Sequence, residues 1–179
     1  MTKISKNILL ISGSGRNVGK TTFMREVIRK NALQYLNAIK ITPHFHEPTS
    51  GLIPISVNKN FRIYQETDIN SEKDSSLFLQ AGAERVFYIQ TTDTFLREAF
   101  NLVSGLLPTD QPVIVESAAL RKFIVPGFYV FIEKKSEEMK QSAREMQKLA
   151  DITIFSDGEQ FSLNPESVVF NQSWKIQNS

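Results

Sequence analysis

Ser12-Gly13-Ser14-Gly15-Arg16-Asn17-Val18-Gly19-Lys20-Thr21-Thr22 is the stretch on which the fold of this 179-residue chain turns. An apolar run, Ile8-Leu9-Leu10-Ile11, precedes it, and Phe23 to Ile28 follow with helical spacing. Strand, glycine-rich turn and helix, with Gly-Lys-Thr at the helix entrance, make a phosphate-binding loop (P-loop). Its backbone N–H groups face inward and cradle phosphate oxygens, helped by the positive end of the helix dipole. Lys20 is expected on the β- and γ-phosphates and the Thr21 hydroxyl on Mg²⁺, with Gly13, Ser14, Gly15, Asn17, Val18, Gly19 and Thr22 completing the nucleotide cradle. Ser14 stands where G-x-x-x-x-G-K-[ST] has its first glycine. It takes that turn if its φ is negative, with Gly13 and Gly15 supplying freedom on either side.

Composition narrows the class. The length suits one domain with a sizeable core, so residues 1–179 are expected to form a single nucleotide-binding domain. A net charge of +2, from 21 basic and 19 acidic residues, implies no large attraction to nucleic acid or to a membrane surface. Zero cysteines exclude disulfides and thiolate chemistry, which fits a reducing cytoplasm. Lys3 and Lys6 before an apolar run echo a signal peptide, but that run is too short and passes directly into the loop, so it reads as a core strand. No apolar stretch approaches the length of a transmembrane helix.

Outward from the loop, periodicity predicts alternating strands and helices. The first helix is expected over 19–31, with Met24, Val27, Ile28 and Tyr35 toward the sheet. Strands follow at 38–41, 86–89, 113–115, 128–132 and 152–155, and helices at about 71–80, 95–106 and 136–149. Residues 43–71 read as an irregular insertion, in which 61–66 alternate like an exposed strand. Residues 156–159 read as a turn with 161–163 folding back, and the tail beyond them is unassigned. The pattern predicts a doubly wound, mostly parallel α/β domain with its ligand at the C-terminal ends of the strands.

Other residues with chemistry fall at those ends. Glu116 closes an apolar strand, where P-loop proteins keep the carboxylate that orients Mg²⁺ or its water; the plain alternative is a strand-end acid. Asp74 serves either that site or the start of a helix whose cap is Asn70 or Ser71. Lys40 either faces phosphates or an anionic substrate, or snorkels off an edge. His44, His46 and Glu47 form either a thin metal-ligand set or a solvated loop. Arg16, Arg121 and Lys122 are candidates for stabilising transition-state charge, and each reads equally as a surface cation. Lys20, Glu116 and Arg16 are the catalytic candidates; Thr21 and Glu116 are the metal candidates. Asn58-Lys59-Asn60-Phe61 lacks the acid of the guanine-reading Asn-Lys-x-Asp, so the residues leave GTP and ATP both open.

Taken together, the Gly-Lys-Thr-Thr loop, Ile39-Lys40 with His44 and His46, Lys73-Asp74-Ser75 leading to Gln80-Ala81-Gly82-Ala83, and Val113-Ile114-Val115-Glu116 resemble the MobB family of molybdopterin-guanine dinucleotide biosynthesis accessory proteins, members of the P-loop NTPase class. The resemblance spans roughly residues 8 to 132. It implies GTP binding with slow hydrolysis, Mg²⁺, a dimer and a protein partner in cofactor biosynthesis, with Gly19 to Thr22 on phosphate and metal and Glu116 near the metal. The loop, longer than is usual in that family, is also similar to that of dethiobiotin synthetase, which implies as the alternative an ATP-dependent enzyme acting on a small substrate. A third reading is a nucleotide-gated interaction protein with 43–71 as its switch or partner surface.

Overall fold

A strand without a polar break, such as Ile8 to Ile11, needs cover on both faces. The computed structural model, which describes residues 4–134, 138–157 and 160–177, gives it that cover. In chain order the elements are β1 (Ile4–Gly13), α1 (Lys20–Asn31), β2 (Asn37–Thr42), β3 (Leu52–Val57), β4 (Phe61–Glu66), α2 (Asp74–Gln80), β5 (Arg85–Thr91), α3 (Asp93–Ser104), β6 (Val113–Glu116), β7 (Val125–Glu133), α4 (Gln141–Gln147), β8 (Ile152–Phe155), β9 (Val168–Asn171) and β10 (Ser173–Ile176).

The first eight strands form one sheet in the order β3-β4-β5-β2-β6-β1-β7-β8. From β5 to β8 every neighbour pair is parallel, and β3 and β4 add an antiparallel edge. Leu9 and Ile11 lie in one core layer, under α1 and Phe78 of α2. Ile8 and Leu10 lie in the other, with Leu96, Ala99, Phe100 and Val103 of α3 and Met146 of α4. This is the expected α/β architecture: a mostly parallel sheet with helices on both faces. From β1 the chain crosses to β2 on one side of it, whereas from β6 it passes β1 to reach β7 on the other. The connections therefore diverge above the C-terminal end of β1, and a crevice opens there.

Side-chain alternation decides what reaches that crevice. In β2, Ile39 and Ile41 belong to the α3 layer and Ala38 to the α1 layer, which puts Lys40 on the α1 side. In β6, Val113 and Val115 face α3 and Ile114 faces α1, so Glu116 also falls on the α1 side. Lys40 and Glu116 are direct register partners.

Several expectations are corrected. Residues 43–71 are not irregular throughout, because β3 and β4 make a hairpin there. Asn58 Oδ1 accepts the N–H groups of Asn60 (2.8 Å) and Phe61 (3.0 Å), which closes the turn. β4 is no exposed strand: Phe61, Ile63 and Tyr64 are buried against the sheet. β3 hides from pattern reading because it is an edge strand with Pro54, a register shift beside it, and Ile53, Ile55 and Val57 exposed. Tyr35 sits in a left-handed turn and is exposed; Leu36 enters the core instead. The helix expected over 95–106 is α3, which ends at Ser104; its buried stripe is Leu96-Ala99-Phe100-Val103, while Leu102 within it and Leu106 beyond it face solvent. Neither Asn70 nor Ser71 caps α2, whose N-cap position is Lys73 with no side-chain hydrogen bond. The helix expected from Ser136 is α4, starting at Gln141; Ser136 lies outside the described residues, as do Gly158 and Glu159 of the expected turn. Phe161 does fold back, bridging to Ser156. Among the described residues no helix is long and apolar enough to cross a membrane.

The unassigned tail is the hairpin β9–β10, and it is fastened to the end of α1. Asn31 is buried at the last position of α1; its Nδ2 donates to Val27 O (2.8 Å) and Val168 O (2.9 Å), and its Oδ1 accepts the Phe170 N–H (2.9 Å). Trp174 packs edge-on to Phe170 and donates from Nε1 to Asn7 O (2.8 Å). Replacing Asn31 by Ala orphans buried backbone groups on β9 and is expected to destabilise by roughly 2–4 kcal/mol. Asn31→Asp, which keeps the acceptor but turns a carboxylate on two carbonyls, should fare no better. Urea midpoints of both variants check this; an unchanged midpoint for Asn31→Ala contradicts it.

Candidate functional site

Between β1 and α1 the backbone is shaped by close approach. A Cβ on Gly13 would come within 2.7 Å of Val18 Cγ2 and 2.8 Å of Ile132 O, so only hydrogen fits. Ser14 is buried and is not among the positive-φ residues; its N–H donates to Ile132 O (2.9 Å) and its Oγ accepts the Lys134 N–H (3.1 Å). Val18 is fully buried and anchors the loop to the core. Asn17 (φ 55°) and Gly19 (φ 91°) make the left-handed steps that turn the chain into α1. A side chain on Gly19 would also meet the Phe161 ring at 3.0 Å. Gly19 is the N-cap, and no side chain caps the helix. No N–H group of the first turn therefore has a capping side chain from Gly19 itself.

Lys20 and Thr21, the first residues of α1, turn toward the crevice. Lys20 Nζ donates to Gly15 O (2.7 Å), its one hydrogen-bond partner among the described residues. Burial pushes its ammonium below the usual lysine range; Glu116 opposes that shift and Lys40 adds to it. Thr21 Oγ1 donates to Asp74 Oδ1 (2.9 Å). Lys40 Nζ lies 2.6 Å from Asp74 Oδ2 and 2.7 Å from Glu116 Oε2. Burial alone would lower the Lys40 pKa, but the two carboxylates outweigh it and raise it. Burial likewise pushes Asp74 up, and the Lys40 charge with the hydrogen bonds from Lys40 and Thr21 more than reverses this, so Asp74 ends lowered. No donor other than Lys40 among the described residues reaches Glu116 Oε2, which is itself buried.

A cleft of about 430 Å³ opens between the loop and this cluster. Arg16, Asn17, Gly19, Lys20, Thr21, Thr22, Lys40 and Glu116 all line it, and Asp74 joins them. Gly13, Ser14, Gly15 and Val18 do not; they build the frame behind it. Asp74 is therefore no helix cap: its carboxylate goes to Thr21 and Lys40. Its signal in the sequence was Lys73-Asp74-Ser75, whose chemistry only the approach of α2 to α1 explains. Arg121 donates to Ile124 O (3.1 Å) and Lys122 pairs with Asp93 (2.7 Å), so neither is brought to the cleft. His44 and His46 are exposed with ring centroids 6.2 Å apart, and Arg16 approaches His44 Nε2 at 3.2 Å. Among the described residues no group of three or more His, Cys, Asp or Glu is placed to hold a metal ion by itself.

The charge cluster has a pH window. Asp74, with a lowered pKa, stabilises the fold above its unfolded value, and this is lost as pH falls through the lower folded value. Lys40, with a raised pKa, contributes fully below its unfolded value of 10.5, and this is lost as pH rises through the higher folded value. Lys40→Met leaves Glu116 buried without its counter-charge, so a loss on the order of 3 kcal/mol is expected at neutral pH. The deficit should shrink in acid, as pH falls through the lowered pKa of Asp74 and the attraction between Lys40 and Asp74 is lost in wild type as well. Urea midpoints of wild type and variant at neutral and acid pH measure it; equal midpoints at neutral pH contradict it. Comparison with family models, with curated proteins and with solved structures finds no match to this chain.

Proposed function

We propose that this chain is a P-loop NTPase that binds a nucleoside triphosphate with Mg²⁺ and hydrolyses it slowly. The observation that carries this is the buried Lys20 ammonium, whose one hydrogen bond among the described residues is to a loop carbonyl at the start of α1. A cation so placed, with its pKa lowered by burial, gains when an anion arrives, and the adjacent N–H groups favour the same charge. Lys20 would hold the β- and γ-phosphates. Thr21, Asp74 and Glu116 would hold Mg²⁺: they are hard oxygen donors, and Glu116 Oε2 has a single charge partner among the described residues. A bound Mg²⁺ neutralises charge on the phosphates. Hydrolysis is slow on this reading because Asp74 and Glu116, the only acids among the described residues that line the cleft, would serve the metal, and Arg16 rests on His44, so none of the residues lining the cleft is left over to orient water.

The MobB resemblance favours GTP over ATP and an accessory role in attaching a nucleotide to the molybdenum cofactor, in the cytoplasm and with a protein partner. The open edge of β3, with Ile53, Ile55 and Val57 exposed, is the surface on which such a partner or a second copy would add a strand. One observation supports the alternative, a dethiobiotin-synthetase-like enzyme. A second cleft of about 380 Å³, with Leu52 and Tyr88 in its wall, adjoins the first across Lys40 and Asp74 and has room for a small substrate.

Calorimetric titration with GTP and ATP, each with Mg²⁺, tests the main reading. Lys20→Ala should lower affinity at least tenfold and remove hydrolysis; unchanged binding and turnover in that variant would sink it. Multiple turnover on addition of a small amino or carboxylated substrate would transfer the assignment to the synthetase-like reading.

A further inference from the structure

Glu66 is a buried acid that the cleft does not use. It closes β4, is 2% exposed, and has no salt bridge among the described residues. Its Oε1 accepts the N–H groups of Thr67 (3.1 Å) and Asp68 (3.0 Å), and its Oε2 accepts the Ser75 hydroxyl (2.6 Å). A buried carboxylate without a counter-cation is tolerated only when hydrogen bonds replace its water. Stability alone gives little reason to keep one, since a well-packed neutral residue does as well. The geometry says what the charge holds.

Ser75, its one side-chain partner, follows Asp74 directly. α2 has seven residues and no side-chain cap, so it cannot fix its own first turn. Side-chain hydrogen bonds do so: Glu66 on Ser75 from the β4 side, Asp74 on Thr21 and Lys40 from the cleft side, and, beside them, Ser76 Oγ on the Ser71 N–H and Lys73 on Thr49. The first of these is itself braced. Gly51 O accepts both the N–H (2.9 Å) and the hydroxyl (2.8 Å) of Thr67. A Cβ on Gly51, at φ +97°, would come within 2.5 Å of Asp68 Cβ and 3.0 Å of Glu66 Oε1. The start of β3, the turn after β4 and the first turn of α2 therefore converge on one carboxylate.

We propose that Glu66 is a positioning residue: through Ser75 it sets the first turn of α2 so that Asp74 reaches Thr21 and Lys40, and thereby it sets the affinity of the cleft for a divalent cation. The second half rests on the reading of Asp74 as a metal ligand. The first half concerns only where Asp74 sits.

Ser75→Ala removes the linking hydroxyl and leaves Glu66 on its two N–H groups. The Mg²⁺ concentration that half-saturates the metal-dependent part of nucleotide binding should rise about tenfold, as expected for loss of an outer-shell partner. Affinity in EDTA should stay unchanged. Ser75→Thr, which restores a hydroxyl, should recover most of the effect. Glu66→Asp, one methylene shorter, withdraws the carboxylate from Ser75 and serves as the second variant should Ser75→Ala not fold. A crystal structure of the folded variant should find Asp74 withdrawn from Thr21. Unchanged Mg²⁺ dependence in a variant with the wild-type melting temperature overturns the proposal. So does a crystal structure in which Asp74 keeps both partners. If wild type binds no nucleotide, the functional reading falls, and the position of Asp74 in that crystal structure still decides this one.

Discussion

One ammonium joins three parts of the molecule. Lys40 comes from β2, Glu116 from the neighbouring strand β6, and Asp74 from a helix some thirty residues further along the chain than Lys40. The parallel register that sets Lys40 opposite Glu116 fixes the first ion pair, and the approach of α2 supplies the second. Opposite charges this close are stable only together: without Lys40 the buried Glu116 loses its ion pair, and without the carboxylates the largely buried Lys40 ammonium loses both of its own. The mouth of the crevice is thus held by mutual need among charged groups, whereas the sheet below it is held by apolar burial.

That difference explains what could be read from residues alone. β1, β5, β6 and β7 announce themselves through continuous apolar runs, because interior strands covered on both faces have little room for polar residues. The loop from Gly13 to Thr22 is legible because steric limits force its residue types: Gly13 under Val18, Gly19 under Phe161 at positive φ. The pairing of Lys40 with Glu116 is half legible, since both end strands, but which strands are neighbours is a matter of topology. Asp74 is legible only as a choice between two roles, because its partners are 34 and 53 positions away. Glu66 could not be found at all. An acid ending an alternating segment reads as a solvent-facing residue, and nothing local reveals that backbone amides and a serine hydroxyl replace its water.

The misread stretches share a physical cause. β3 is an edge strand with one face open, so its apolar residues alternate against solvent rather than against a core, and Pro54 removes a donor that an edge does not require. α2 and α4 are read as helices but with their starts placed too early, since each is only seven residues long and neither carries a side-chain cap to mark its beginning. Short elements of this kind owe their shape to neighbours. Here the neighbours are α1, β2 and β5 for α2, and for α4 the apolar layer that takes Met146 and the hydrogen bond from Gln147 to Glu133 of β7. Pattern reading succeeds where the chain determines itself and fails where another segment decides.

The clasp of Asn31 on β9 has a consequence for the order in which the molecule completes itself. Asn31 and the groups it binds on β9 are 137 and 139 positions apart, and Trp174 reaches back 167 positions to Asn7. The helix that presents Lys20 and Thr21 is therefore not secured at its far end until β9 has been synthesised and has joined it. Closing so long a loop is slow relative to local folding. Until it closes, one side of α1 exposes Val27, Ile28 and the surface that Phe170 and Trp174 later cover. The hairpin β9–β10 thus finishes α1 from a distance: the residues of the glycine-rich loop are made well before the segment that clasps the far end of their helix.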